Sequence, residues 1–172
     1  MSALRNIQML TRYTAWANNR IFDALAQLPY GEAVKPRPTL FGNMVHTLSH
    51  AYVADLIWKA HLLGESHGFT SRNTETTPEL ETLRESQVIL DDWYINYANE
   101  LSSKLHDEIV TFNFADGGAG VMTRGDMLLH VVNHKTFHRG FVVDMLYQVP
   151  VIPPSTDLSV FLRDVPGWYT KP

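Results

Sequence analysis

Four long segments of this chain repeat apolar side chains at intervals of three or four, and breaker residues separate them. An α-helix advances about 100° per residue, so that interval lays a continuous apolar stripe along one side of a helix. Residues 4–28 place Ile7, Leu10, Tyr13, Ala17, Ile21 and Leu25 on such a stripe, which Pro29 and Gly31 end. Residues 40–63 are apolar nearly all round and stop at Gly64, the pattern of a helix packed on several sides. The run Thr77-Pro78-Glu79-Leu80 reads as an N-cap, a proline in the first turn and an acidic start, and predicts a third helix to residue 105. Thr123, followed at the third position by Asp126, predicts the capping box of a fourth helix over 123–147.

Between the third and fourth helices, EIVTFNF alternates in polarity and DGGAG is turn-rich, which reads as a short hairpin or extended excursion. VPVIPPST ends the fourth helix, and a short final helix is expected over 157–163. The expected fold is therefore all-α: one domain over residues 1–172, an antiparallel four-helix bundle of the up-down-down-up type. A short C-terminal helix and the small excursion complete it.

Composition removes several classes of function. With 172 residues, 45% of them hydrophobic and 19% charged, the chain can bury a substantial core. Its net charge is −4 and it has no basic stripe, which argues against a nucleic-acid partner. There is no cysteine, so disulfides, thiolate metal sites and a cysteine nucleophile are excluded together. No apolar run reaches the length of a bilayer span, and the N-terminus lacks the apolar core of a signal peptide. No membrane partner and a cytoplasmic location are the expectations.

Three of the eight histidines, His130, His134 and His138, recur every four residues in the fourth segment. Met127, Val131, Phe141, Val142 and Met145 form one broad stripe there, with His134 and His138 in its middle and His130 toward its edge. Lys135, Thr136, Arg139 and Gly140 fall mostly outside it. Burying two imidazoles on one face costs desolvation that a shared metal ion would offset. A third ligand must then come from a facing helix. The second segment offers His46, His50 and His61, but its apolar circumference leaves the choice among them open. His67 and His106 read as solvated surface. The glutamate that follows the first histidine of a metalloprotease helix is absent, since Val131 follows His130 and Lys135 follows His134.

LTRYTAWANNRIFDALAQLP, FGNMVHTLSHAYVADLIW and NHKTFHRG together resemble the DinB family, the DinB/YfiT-like superfamily of helical metalloenzymes, across almost the whole chain. The most specific parts are residues 13–18 and the H-x-x-x-H-R-G run at 134–140. The resemblance implies a four-helix bundle, commonly dimeric, holding a divalent nickel or zinc ion on three histidines. One ligand of that family precedes a tryptophan by eight residues, which matches His50 and Trp58; the other two match His134 and His138. His46 and His130 remain candidates for a fourth ligand or a supporting position. Phe141 stands where many members carry glutamine.

The superfamily includes enzymes that use low-molecular-weight thiols such as mycothiol or bacillithiol. A thiol-dependent S-transferase or isomerase acting on a small molecule is therefore the leading expectation, with the metal holding the thiol as thiolate. A metal-dependent hydrolase with Asp55 or Asp126 as base is the rival. A non-catalytic metal- or stress-responsive binding protein is the third reading.

Overall fold

The computed structural model describes residues 3–115 and 117–168 of the chain. It is predominantly helical, with six α-helices and one two-stranded sheet: α1 (Ala3–Ala26), α2 (Met44–Leu63), α3 (Leu80–Glu100), α4 (Ser103–His106), β1 (Ile109–Asn113), β2 (Ala119–Thr123), α5 (Arg124–Leu146) and α6 (Leu158–Asp164). A single 3₁₀ turn at Glu32–Val34 follows α1. No helix among the described residues is long and apolar enough to cross a membrane.

Caps explain where the elements begin. Gly42 adopts a positive φ of 75°, and the next residue, Asn43, accepts the His46 backbone N–H on its side chain at 2.8 Å. The second helix therefore starts at Met44 rather than at residue 40, and Leu40 is left exposed. Gly64, in the left-handed conformation at φ 71°, closes it. Thr77 does not cap the third helix. Its hydroxyl lies 3.2 Å from both Asn43 Nδ2 and His46 Nδ1, and the helix begins at Leu80 behind an extended Glu79. The segment expected to be helical to residue 105 divides in two: Leu101 is extended and buried, and Ser102 caps the four-residue α4.

The alternating run forms a hairpin, with Ile109 opposite Thr123 and Asn113 opposite Ala119. Gly120 lies across from Phe112, whose ring fills the space a Cβ would need. β2 leads directly into α5 through the expected capping box of Thr123 and Asp126.

α5 is the central element, packing on both α1 and α2, while α1 also packs on α3 and α6. Lys135 and Arg139, expected outside the buried stripe, are each 2% exposed. A helix with neighbours on two sides has no single solvent face, so a one-stripe wheel misplaces them. Their placement is a correction to the sequence reading, whereas Thr136 and Gly140 are exposed as expected.

Candidate metal centre

His50 comes from the middle of α2, and His134 and His138 from successive turns of α5 where the two helices pack. One ring nitrogen from each lies within 4.8 Å of the others, a group that could hold a metal ion. His134 Nε2 and His138 Nε2 are 3.0 Å apart. The His50 ring sits 4.7 Å from that of His138 and 5.5 Å from that of His134, centroid to centroid. Phe41 stacks on the His50 ring at 4.4 Å.

The hydrogen bonds fix which nitrogens face the group. His50 Nδ1 lies 3.0 Å from the Arg72 carbonyl and 2.9 Å from Asn73 Oδ1. A carbonyl can only accept, so Nδ1 carries the proton and Nε2 presents a lone pair. This is the outer contact that orients a metal-binding imidazole. The Nδ1 atoms of His134 and His138 are buried without a hydrogen-bond partner among the described residues.

All three rings are held in the neutral, ligating form. Burial first, and then the neighbouring His138 and His50, push His134 down to about 3. Burial and His50 push His138 down to about 4. Burial also lowers His50, against the opposing hydrogen bonds to Asn73 and Arg72. Neutral nitrogen donors of this kind suit borderline divalent cations such as zinc and nickel, so the donor set fits a bound metal ion.

Two cavities meet at the group. An outer cleft of about 550 Å³ is lined by Leu40, Phe41, His46, Asn73 and Phe137 together with the three histidines. An inner chamber of about 110 Å³ lies toward the hairpin and is lined by Ala54, Ile57, Trp58, His61, Phe114 and His130. Among the described residues, neither lining includes a carboxylate.

The other sequence candidates fall around this centre. His46 faces the outer cleft with its Nδ1 on Thr77. His130 packs on Trp58 at 4.5 Å and on His134 at 5.7 Å, outside the close group of three. Phe141 packs on Phe137 and His138. Asp126 is exposed and engaged in the cap of α5. Asp55 is buried against Lys135 at 3.0 Å, and burial raises it to about 6 despite that partner. His106 and His67 are half-buried rather than solvated: His106 fills the space beside Gly125, and the His67 ring lies 5.3 Å from that of His61.

Sequence reasoning missed two features. One is the loop between α2 and α3, whose Arg72 and Asn73 hold His50 and which Thr74 pins to Ser49 at 3.1 Å. Its length was the available signal, because long irregular loops in compact domains are usually functional. The other is a buried polar network behind the histidines. Lys135 donates to Gln87 Oε1 at 2.7 Å, Gln87 to Asp91 at 2.8 Å, Asn18 to Asp91 at 2.9 Å, and Arg139 to Asn18 at 3.1 Å. With Asp55 it contains two carboxylates and two cations, so its charges balance.

A profile of the DinB family matches residues 1–166. The chain is also 30% identical over 161 residues to Protein DinB of Bacillus subtilis (strain 168), covering 89% of this chain and 91% of that protein. Of the motif residues, Tyr13 and Asn18 meet Arg139 on one side of α5 while His134 and His138 meet His50 on another, and the chain belongs to the DinB family.

Proposed function

We propose that this chain is a metal-dependent S-transferase or isomerase that uses a low-molecular-weight thiol, with a nickel or zinc ion held by His50, His134 and His138. The observation that carries this reading is the convergence of three neutral imidazoles at the floor of an open cleft. A divalent cation bound there would supply Lewis acidity, lowering the pKa of a thiol placed in its open position. The chain itself has no cysteine to compete for that position.

The residues divide the remaining work. Asn73 and the Arg72 carbonyl orient His50. Phe41 and Phe137 shield the histidines from bulk water, and the cleft of about 550 Å³ is roomy enough for a polar thiol. His46, on the same wall, is the group placed to accept the proton the thiol gives up. The sulfur then bonds to the electrophilic carbon, and the leaving group departs with its electron pair. Asp55 and Asp126, the bases a hydrolase reading would use, are committed to Lys135 and to the cap of α5, which favours thiolate attack.

We read the four long helices as an antiparallel up-down-down-up bundle, and the active form as a homodimer, as the family resemblance implies, that works in the cytoplasm on a small molecule. The chain as purified should contain about one divalent cation per copy by elemental analysis, and His134→Ala should lose it. It should consume monochlorobimane only when a low-molecular-weight thiol is supplied. Ester or amide turnover with no thiol present would overturn the reading.

A further inference from the structure

The inner chamber adjoins the open cleft at His134, and among the described residues only Arg72 and His134 line both spaces. Its walls are largely apolar: Ala54 and Ile57 from α2, the indole of Trp58, and Phe114 with Ala115 from the hairpin turn. At about 110 Å³ it matches a single six-membered ring, close to the cavity of about 150 Å³ that takes benzene in an engineered protein core. Trp58 and His130, packed on each other at 4.5 Å between centroids, contribute aromatic surface to its wall.

At the junction stands Arg72. The loop that fixes His50 through the Arg72 carbonyl also brings Arg72 to the wall common to both spaces, close enough for its charge to act on the His50 ring. Its guanidinium makes no hydrogen bond or ion pair with another described residue, and no described residue of either lining is a carboxylate. A fixed fork of donors beside an apolar chamber matches a planar anion joined to an apolar ring.

We propose that the inner chamber is the subsite of the second, non-thiol substrate, taking a ring-sized apolar group whose adjoining carboxylate pairs with Arg72. This rests on the transferase reading above: the thiol enters from the open cleft, and its acceptor reaches the histidines from the chamber. Because the ligand is held by the chain's own side chains, its binding can be measured without turnover.

The test is titration of the full chain, as purified, with phenylacetate, followed by calorimetry and by the indole N–H resonance of Trp58. Phenylacetate should bind saturably and shift that resonance. Benzyl alcohol, which keeps the ring and lacks the charge, should bind at least tenfold more weakly. Acetate, which keeps the charge and lacks the ring, should leave the resonance in place. Arg72→Gln, an exposed position, should weaken phenylacetate at least tenfold and leave benzyl alcohol unchanged, while Ala115→Leu should weaken both. An unmoved Trp58 resonance at saturating phenylacetate, or equal affinity in Arg72→Gln, would overturn the subsite. Saturable binding in a protein that proves inert toward monochlorobimane with every thiol tried would instead overturn the transferase reading and keep the chamber as a ligand site.

Discussion

Lys135 and Arg139 each directly follow a histidine of the group of three, and the 100° step of the helix turns them away from the cleft into the opposite side of the core. There Lys135 meets Asp55 and Gln87, and Arg139 meets Asn18 and lies over the Tyr13 ring at 5.3 Å. Removing one member of such a network leaves its partner's charge buried and uncompensated, at a cost of about 3–5 kcal/mol. Lys135→Met should therefore lower unfolding free energy by about that amount in urea titrations. Replacing Lys135 and Asp55 together by apolar residues of similar volume should recover most of the loss, since the pair then vanishes as a unit. His134 and His138 were legible in the sequence because four-residue spacing on an apolar stripe is a local signal. Lys135 was not, because its burial depends on which helices lie behind α5, and nothing within the segment encodes that.

Among the elements, α5 carries most of the design. Its start is fixed twice: Thr123 Oγ1 accepts the Asp126 N–H at 3.0 Å while Asp126 accepts the Thr123 N–H at 3.3 Å. Thr123→Ala should cost about 1 kcal/mol, read from denaturation midpoints, and leave metal content unchanged because His134 lies three turns away. Gly125 is a harsher site. The His106 ring occupies the place of its Cβ, so Gly125→Ala must displace that ring, which is held by a 2.6 Å contact with Asp107. The capping box was readable because it involves only two residues, Thr123 and Asp126, three positions apart. The break between α3 and α4 was not: Leu101 leaves the helix to be buried in the core beneath the hairpin, a tertiary demand that periodicity cannot express. His50 is the intermediate case. The all-round apolarity of α2 hid its orientation, and family resemblance selected it where the wheel could not.

Over the whole molecule the histidines tie stability to pH and to metal. A ring that stays neutral in the folded protein but protonates near its ordinary value of 6.5 when unfolded contributes stability that is complete above 6.5. As pH falls the unfolded chain takes up protons that the folded one refuses, so stability declines toward the folded values of about 3 for His134 and about 4 for His138. Asp55 works in the opposite sense. Its folded value of about 6 lies above the ordinary 3.8, so its contribution is lost as pH rises between those two values. The two trends oppose each other between about pH 4 and 6, and the histidines alone act from 6 to 6.5. In metal-free protein, His134→Ala should therefore flatten the decline of melting temperature below pH 6.5, most visibly in an Asp55→Asn background. A bound divalent cation should raise the melting temperature by mass action. Because the folded rings resist protonation, that rise should persist down to about pH 5, well below the point where solvent-exposed histidines release a metal. Loss of the thermal shift near pH 6.5 would mean the three rings titrate as ordinary exposed imidazoles, and the buried centre inferred from them would fail.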